Sequence, residues 1–187
     1  MISDEALMLS FQRGSCEAFE ELFARYREPL NGFFRRRLAS KDRAEDLAQE
    51  TFLAVIRGAV RYEPRALVKT YLYGIALKLL AAERRKLSSN EPPLAEEHEP
   101  AEDGPSEEAL WVRQALEKLD AGEREILMLR EYEQLNYAEI GELLRLPVNT
   151  VRSRLFRARM ALKEFLEPKR KAQTKLRSGI AGSEAQS

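Results

Sequence analysis

Residues 137–163 read YAEIGELLRLPVNTVRSRLFRARMALK, and their pattern decides the fold. Tyr137 to Leu144 places Ile140, Leu143 and Leu144 on one helical face. Arg145-Leu146-Pro147 is a tight break, and VNTVRSRLFRARMALK then has the composition of a longer helix. Two helices joined by a short turn form the helix-turn-helix pattern. Gly141 is small where the two helices must approach, and Val151 is the apolar plug early in the second. Arg145 stands at a turn position where glycine is common, at a cost of about 1 kcal/mol.

Successive helical residues turn by about 100°. Val151, Leu155, Ala158 and Leu162 therefore share one narrow inward stripe, while Asn149, Arg152, Ser153, Phe156, Arg157, Met160 and Lys163 lie opposite. That outer face mixes cations, a hydroxyl, an amide and an aromatic ring. Arginine can bond guanine edges bidentately, and an apolar side chain can meet the thymine methyl. Arg154 and Arg159 fall on the flanks, where phosphate contact is the natural role. The plainer alternative is a basic surface helix of a bundle, but such a face seldom spends a phenylalanine on solvent.

Outward from this motif, the whole chain favours helix. It has 187 residues, few glycines and prolines, and no apolar run long enough to span a membrane. Met1 leads into Ser3, Asp4 and Glu5, which is unlike a secretory signal. Cys16 is the single cysteine, so no internal disulfide forms and a reducing, cytoplasmic setting is natural. The formal net charge of zero conceals a division: residues 91–108 hold eight acids and no Lys or Arg, leaving +8 on the remainder. With Ser88-Ser89-Asn90, Pro92, Pro93, Pro100, Gly104 and Pro105, residues 88–108 read as an acidic flexible linker between basic bodies.

The first body, 1–87, begins with Ser3 as a cap, ends its first helix at Gly14 and caps the next at Ser15. Phe19, Leu22, Phe23 and Tyr26 follow at helical spacing, and Pro29 kinks or restarts that helix. A third helix covers Lys41 to Arg57. Tyr62-Glu63-Pro64 breaks the pattern, with Pro64 suited to the first turn of a fourth helix reaching Lys86. The second body, 109–167, has Asp120 and Glu123 placed as a capping box. Pro168 is expected to end order, leaving 168–187 as a disordered tail.

The third helix, KDRAEDLAQETFLAVIR, turns Ala44, Leu47, Ala48, Thr51 and Val55 inward and Asp46, Gln49, Glu50, Leu53 and Arg57 outward. An acidic, amide-bearing face with an exposed leucine suits a basic partner helix, and equally a solvated surface. In residues 61–86, Arg61, Lys69 and Lys78 interleave with Tyr62, Tyr71 and Tyr73. Cations can track a phosphate backbone while rings stack unpaired bases. Each tyrosine taken singly is better explained as bundle packing.

LREYEQLNYAEIGELLRLPVNTVRSRLFRARMALKEFL resembles region 4 of the sigma-70 family, and AEDLAQETF resembles its region 2.2. The order and spacing look like the short extracytoplasmic-function (ECF) group. The resemblance implies an all-α protein with a region 2 bundle and a region 4 helix-turn-helix. It implies an RNA polymerase sigma factor that binds core polymerase and directs promoter recognition and DNA opening. Carried onto this chain, Arg152, Ser153, Phe156 and Arg157 match the base-reading side at the −35 element, and Asn149 and Thr150 match the phosphate-facing helix start. Asp46, Gln49 and Glu50 match the contact to the clamp helices of the polymerase's largest subunit. Arg61, Tyr62, Lys69, Tyr71, Tyr73 and Lys78 fall in the segment resembling regions 2.3 and 2.4, which open and capture the −10 element. The loop from Arg57 to Arg65 matches the base-capturing loop. Where relatives usually carry tryptophan, asparagine and aspartate, this chain has Tyr71, Lys78 and Ala82, which leaves its −10 sequence unspecified.

The family also implies an anti-sigma factor as an inhibitory partner. The acidic linker suits either a nucleic-acid mimic in a basic polymerase channel or a solubilising tether, and the basic tail suits either DNA or a regulator. No Ser/His/Asp set, phosphate-cradling glycine loop or metal-ligand cluster is evident, so neither catalysis nor a cofactor or metal is expected. Glu45, Asp46 and Glu50 resemble a carboxylate cluster, but helical di-metal sites also want histidine, and the lone His98 lies in the linker. The competing reading is a stand-alone helix-turn-helix regulator binding a two-fold operator, which leaves AEDLAQETF unexplained.

Overall fold

The computed structural model describes residues 2–64, 67–89 and 107–181, and these divide between two compact units, 1–99 and 100–187. Every regular element among the described residues is helical. The sequence-expected linker lies mostly outside the described residues. At its edges, Leu87 to Ser89 continue one helix and Glu107 begins another.

Unit 1 contains α1 (Asp4–Gln12), α2 (Cys16–Arg35), α3 (Lys41–Gly58), a 3₁₀ turn (Ala59–Arg61) and α4 (Val68–Ser89). Ser3, Ser15 and Ser40 cap the first three helices, their hydroxyls accepting from the backbone N–H of Ala6, Ala18 and Arg43 at 3.2 Å each. These bonds satisfy donors that a helix start leaves orphaned. Gly14 separates α1 from α2 at φ +100°, a conformation that favours glycine. The core between the helices is filled by Met8, Leu30, Phe33, Phe34, Leu47, Val55, Val68, Tyr73 and Leu80. Asp4 ties α1 to α2 by accepting from Arg25 at 2.6 Å and from the Tyr26 hydroxyl.

Pro29 does not restart its helix, and Pro64 departs from the sequence expectation. A single helix, α2, runs through Pro29, with Tyr26, Leu30, Phe33 and Phe34 buried on either side of it. Their burial offsets the hydrogen bond that proline removes. Pro64 does not open α4; it lies in the turn four residues earlier. The first turn of α4 is fixed from elsewhere: the Val68 N–H donates to the Glu5 carboxylate at 3.2 Å.

Unit 2 contains α5 (Glu107–Glu117), α6 (Ala121–Glu131), α7 (Tyr137–Leu144) and α8 (Val148–Ala181). Asp120 caps α6, accepting from Gly122 N at 2.9 Å and Glu123 N at 3.3 Å. The reciprocal capping box is instead at α7. Asn136 accepts from Glu139 N at 2.9 Å, and the Glu139 carboxylate accepts from Asn136 N at 2.5 Å. Leu119, Ile126, Leu129, Leu135, Ile140, Val151, Leu155 and Ala158 form the core.

The break between α7 and α8 is the expected tight turn. Arg145 adopts φ +54°, ψ +47°, and Leu146 N donates to Gly141 O at 2.8 Å. A Cβ on Gly141 would stand 2.8 Å from the Leu146 carbonyl oxygen, so the turn closes against a residue that must be glycine. The helix α8 does not end at Pro168 but continues to Ala181. Proline costs a helix one hydrogen bond, and the run KRKAQTKLR beyond it is rich in strong helix formers.

Candidate nucleic-acid interface

The first turns of α8 are held from one side only. Val151, Leu155 and Ala158 are at most 1% exposed and anchor the helix on its neighbours. The opposite face is open: Asn149, Arg152, Ser153, Arg157 and Lys163 are exposed, Thr150 is half-buried, and Phe156 is 65% exposed. Ser153 Oγ donates to Thr150 O at 3.0 Å, which still leaves the hydroxyl oxygen able to accept. Arg157 Nε contacts Glu123 at 2.7 Å, although its side chain remains more than half exposed. The Glu123 side chain is only 17% exposed, so the pair is half-buried, and an anionic ligand that takes Arg157 must compete with it. Arg159 is similarly paired with Glu131 at 2.6 Å. The structure thus gathers six of the sequence-expected contacts, Asn149, Thr150, Arg152, Ser153, Phe156 and Arg157, onto one face of a helix that projects from a helix-turn-helix.

The outer face of α3 is also open, but its electrostatics differ from the sequence expectation. Asp46 and Gln49 are exposed, Glu50 is half-buried, and Leu53 and Ile56 stand in solvent. Arg43, which the sequence reading passed over, organises the carboxylates. Its guanidinium lies 3.6 Å from Asp46 and 3.2 Å from Glu50, and it forms two 2.8 Å bonds with Glu83 of α4. Those bonds hold the Glu83 carboxyl below its usual range and raise Arg43 above its own. Only the Arg43–Asp46 pair is local, at i,i+3; Glu83 lies 40 residues away in sequence, so no spacing announces its part.

The residues expected at a −10 contact do not form one surface. Arg61 and Lys78 are exposed, and Lys69 and Tyr71 are half-buried. Tyr73 is 1% exposed and packs on Phe33 at 5.5 Å between ring centroids. Tyr62 is 6% exposed and meets Tyr71 at 5.3 Å. Tyr62 and Tyr73 are therefore core residues here: Tyr73 because α4 is flanked by α1, α2 and α3, and Tyr62, at the end of the 3₁₀ turn, because its ring packs on Tyr71. Burial pushes both the Tyr62 and Tyr71 hydroxyls up. The sequence reading missed the apolar residues that replace them on the surface: Val60, 86% exposed beside Arg61, and Leu67 before α4.

Among the described residues, no cluster of three or more His, Cys, Asp or Glu could hold a metal, and no helix is long and apolar enough to cross a membrane. His98 lies outside the described residues.

Known proteins share this arrangement. The sigma-70 region 2 family matches residues 22–89, and the sigma-70 region 4 family matches residues 109–162. The RNA polymerase sigma-H factor of Pseudomonas aeruginosa is 31% identical over 182 residues, covering 88% of this chain and 94% of that protein. The ECF RNA polymerase sigma-E factor of Haemophilus influenzae is 31% identical over 185 residues, covering 89% and 97%. Among solved structures, CnrH in complex with the cytosolic domain of CnrY superposes with a TM-score of 0.68 at 24% identity, covering 88% of this chain and 97% of that one. RpoE of Bartonella quintana, solved with the anti-sigma factor NepR, gives 0.66 at 24% identity, covering 80% and 96%.

Proposed function

The chain belongs to the ECF group of the sigma-70 family of RNA polymerase sigma factors, and from that membership we propose how its surfaces divide the work. The protein is a transcription initiation factor that binds core RNA polymerase and promoter DNA. Its activity is recognition, with no chemistry of its own, and it acts where polymerase and promoter are, in the cytoplasm.

The face of α8 carrying Arg152, Ser153, Phe156 and Arg157 reads base edges of the −35 element in the major groove, with Asn149 and Thr150 at the phosphates. The observation that carries this is Phe156, an aromatic ring 65% exposed among arginines of the second helix of a helix-turn-helix. Asp46, Gln49 and Glu50 of α3, with Leu53, form the contact to the clamp helices of the largest polymerase subunit. Arg43 tempers its charge while leaving Asp46 and Gln49 exposed. The segment from Arg57 to Arg65 captures the −10 element, with Arg61, Lys69, Tyr71 and Lys78 as the contacts still accessible. Residues 1–87, 88–108 and 109–167 serve as promoter-opening domain, tether and −35 reader. An anti-sigma factor restrains the protein, as the fold's occurrence in such a complex supports.

The test is reconstitution with sigma-free core polymerase, followed by run-off transcription from a randomised promoter pool. Co-elution with selection of two spaced elements is expected. Arg157→Ala should erase selection at the upstream element alone. Specific DNA binding without polymerase, to a two-fold site, would overturn the assignment in favour of a stand-alone regulator. That reading leaves the region 2 match across residues 22–89 without a purpose.

A further inference from the structure

The promoter-capturing segment is tied at both ends to α1. Glu5, Met8 and Gln12 share one face of that helix at steps of three and four residues. Met8 is fully buried, so the face is pressed against the bundle. Gln12 Nε2 donates to Ala59 O at 2.5 Å and to Tyr62 O at 2.7 Å. The Ala59 carbonyl also accepts from Tyr62 N at 3.0 Å, so the closure of the 3₁₀ turn and the clamp meet on one oxygen. Two helical turns away, about 10 Å along the axis, the Glu5 carboxylate accepts from Val68 N at the start of α4. An anion is favoured at that end of a helix.

The chemistry fixes the residue type at position 12. An amide nitrogen carries two hydrogens, and both are directed at carbonyl oxygens. A carboxylate of the same size would turn negative oxygens toward two acceptors. The consequence is an Ala59–Tyr62 backbone that is held while the side chains divide: Tyr62 is buried, and Val60, Arg61, Glu63 and Leu67 are exposed.

We infer that Gln12 is a positioning residue for promoter opening: it clamps the Ala59–Tyr62 backbone so that Val60 and Arg61 face the strand to be captured, while Glu5 fixes the other end of the loop. This rests on the reading of residues 57–65 as the −10 capturing loop.

The experiment uses full-length protein reconstituted with core polymerase on a promoter selected by the wild type. Its readouts are co-elution with core and permanganate reactivity of thymines in the −10 element. Gln12→Ala should lower opening about tenfold, as expected for two lost hydrogen bonds. Gln12→Glu should lower it at least as far. Both variants should keep core binding and −35 selection. Gln12→Lys, which retains N–H donors at similar reach, should recover most of the opening. A variant joining Val60→Ser to Arg61→Ala tests the loop itself. If it fails to open DNA while Gln12→Ala and Gln12→Glu open it normally, the clamp is wrong and the loop assignment stands. If all of them open DNA normally, the loop assignment falls and the clamp with it. Loss of core binding by Gln12→Ala together with loss of opening would overturn the inference in favour of a general structural role.

Discussion

Phe156 in unit 2 and Tyr73 in unit 1 both lie on helices studded with cations, yet one ring is 65% exposed and the other 1%. The difference lies in how many sides of the helix are occupied. The early turns of α8 rest on unit 2 through the stripe Val151, Leu155 and Ala158, so everything opposite is free for a partner. The helix α4 is packed by α1, α2 and α3, and an aromatic residue on it has little open surface to reach. Similar composition therefore yields an open helix face in one unit and a core in the other.

The largest effect is expected from Tyr73→Ala. As a core residue packed on Phe33, its loss should destabilise unit 1 by about 3–5 kcal/mol. Urea or thermal unfolding followed by circular dichroism would show this in the absence of any DNA. A variant with unchanged stability and impaired promoter opening would return Tyr73 to the list of base-stacking residues.

Arg43→Ala comes next. The Arg43–Glu83 pair joins α3 to α4, and removing the cation leaves a carboxylate whose side chain is only 11% exposed. A loss of roughly 2–3 kcal/mol is expected, less than for a fully buried pair because Arg43 keeps some solvent contact. The pH dependence follows from the depressed Glu83 pKa. A carboxyl lowered in the folded state adds stability above its ordinary pKa of 4.5, and that contribution is lost as pH falls through the lowered value. Unfolding curves at pH 7 and at progressively acid pH should show the wild-type advantage over the variant shrinking with acidity. A difference independent of pH would mean that Arg43 stabilises by packing alone.

In unit 2 the complementary variant is Arg152→Ala. Exposed on the outer face of α8, it should leave stability within about 0.5 kcal/mol. Discrimination at one base pair of the −35 element should fall by about 1–3 kcal/mol if Arg152 bonds a base edge. Holoenzyme binding to single-base-pair variants of the promoter would read this. A uniform loss across all sequences would make Arg152 a phosphate contact.

How much was legible beforehand follows the same division. The stripe of α8, the Gly141 approach, the caps at Ser3, Ser15 and Asp120, and the inward face of α3 all rest on spacing within one helix, where period and sequence carry the information. What escaped depends on pairs distant in sequence. Arg43 with Glu83, Gln12 with Ala59 and Tyr62, and Glu5 with Val68 are set by packing between helices. The burial of Tyr62 and Tyr73 belongs to the same class. Pro64 and Pro168 are strong punctuators by type, yet α4 opens four residues after Pro64 and α8 runs through Pro168.

The smallest expected effect lies at the turn between α7 and α8. Arg145 sits at φ +54°, ψ +47°, where a side chain crowds the following carbonyl and costs about 1–2 kcal/mol relative to glycine. Glycine would remove that strain but would also loosen the unfolded chain by about 0.5–1 kcal/mol. Arg145→Gly should therefore stabilise unit 2 by only about 0.5 kcal/mol, raising its melting temperature by a few degrees. The variant should leave −35 discrimination intact, because Arg145 precedes the reading face and the α7–α8 turn geometry is retained. Holoenzyme binding at graded salt separates the remaining contribution. A weaker affinity across all promoter sequences, with a shallower salt dependence, would show that the strain is retained for a phosphate contact made by the arginine itself.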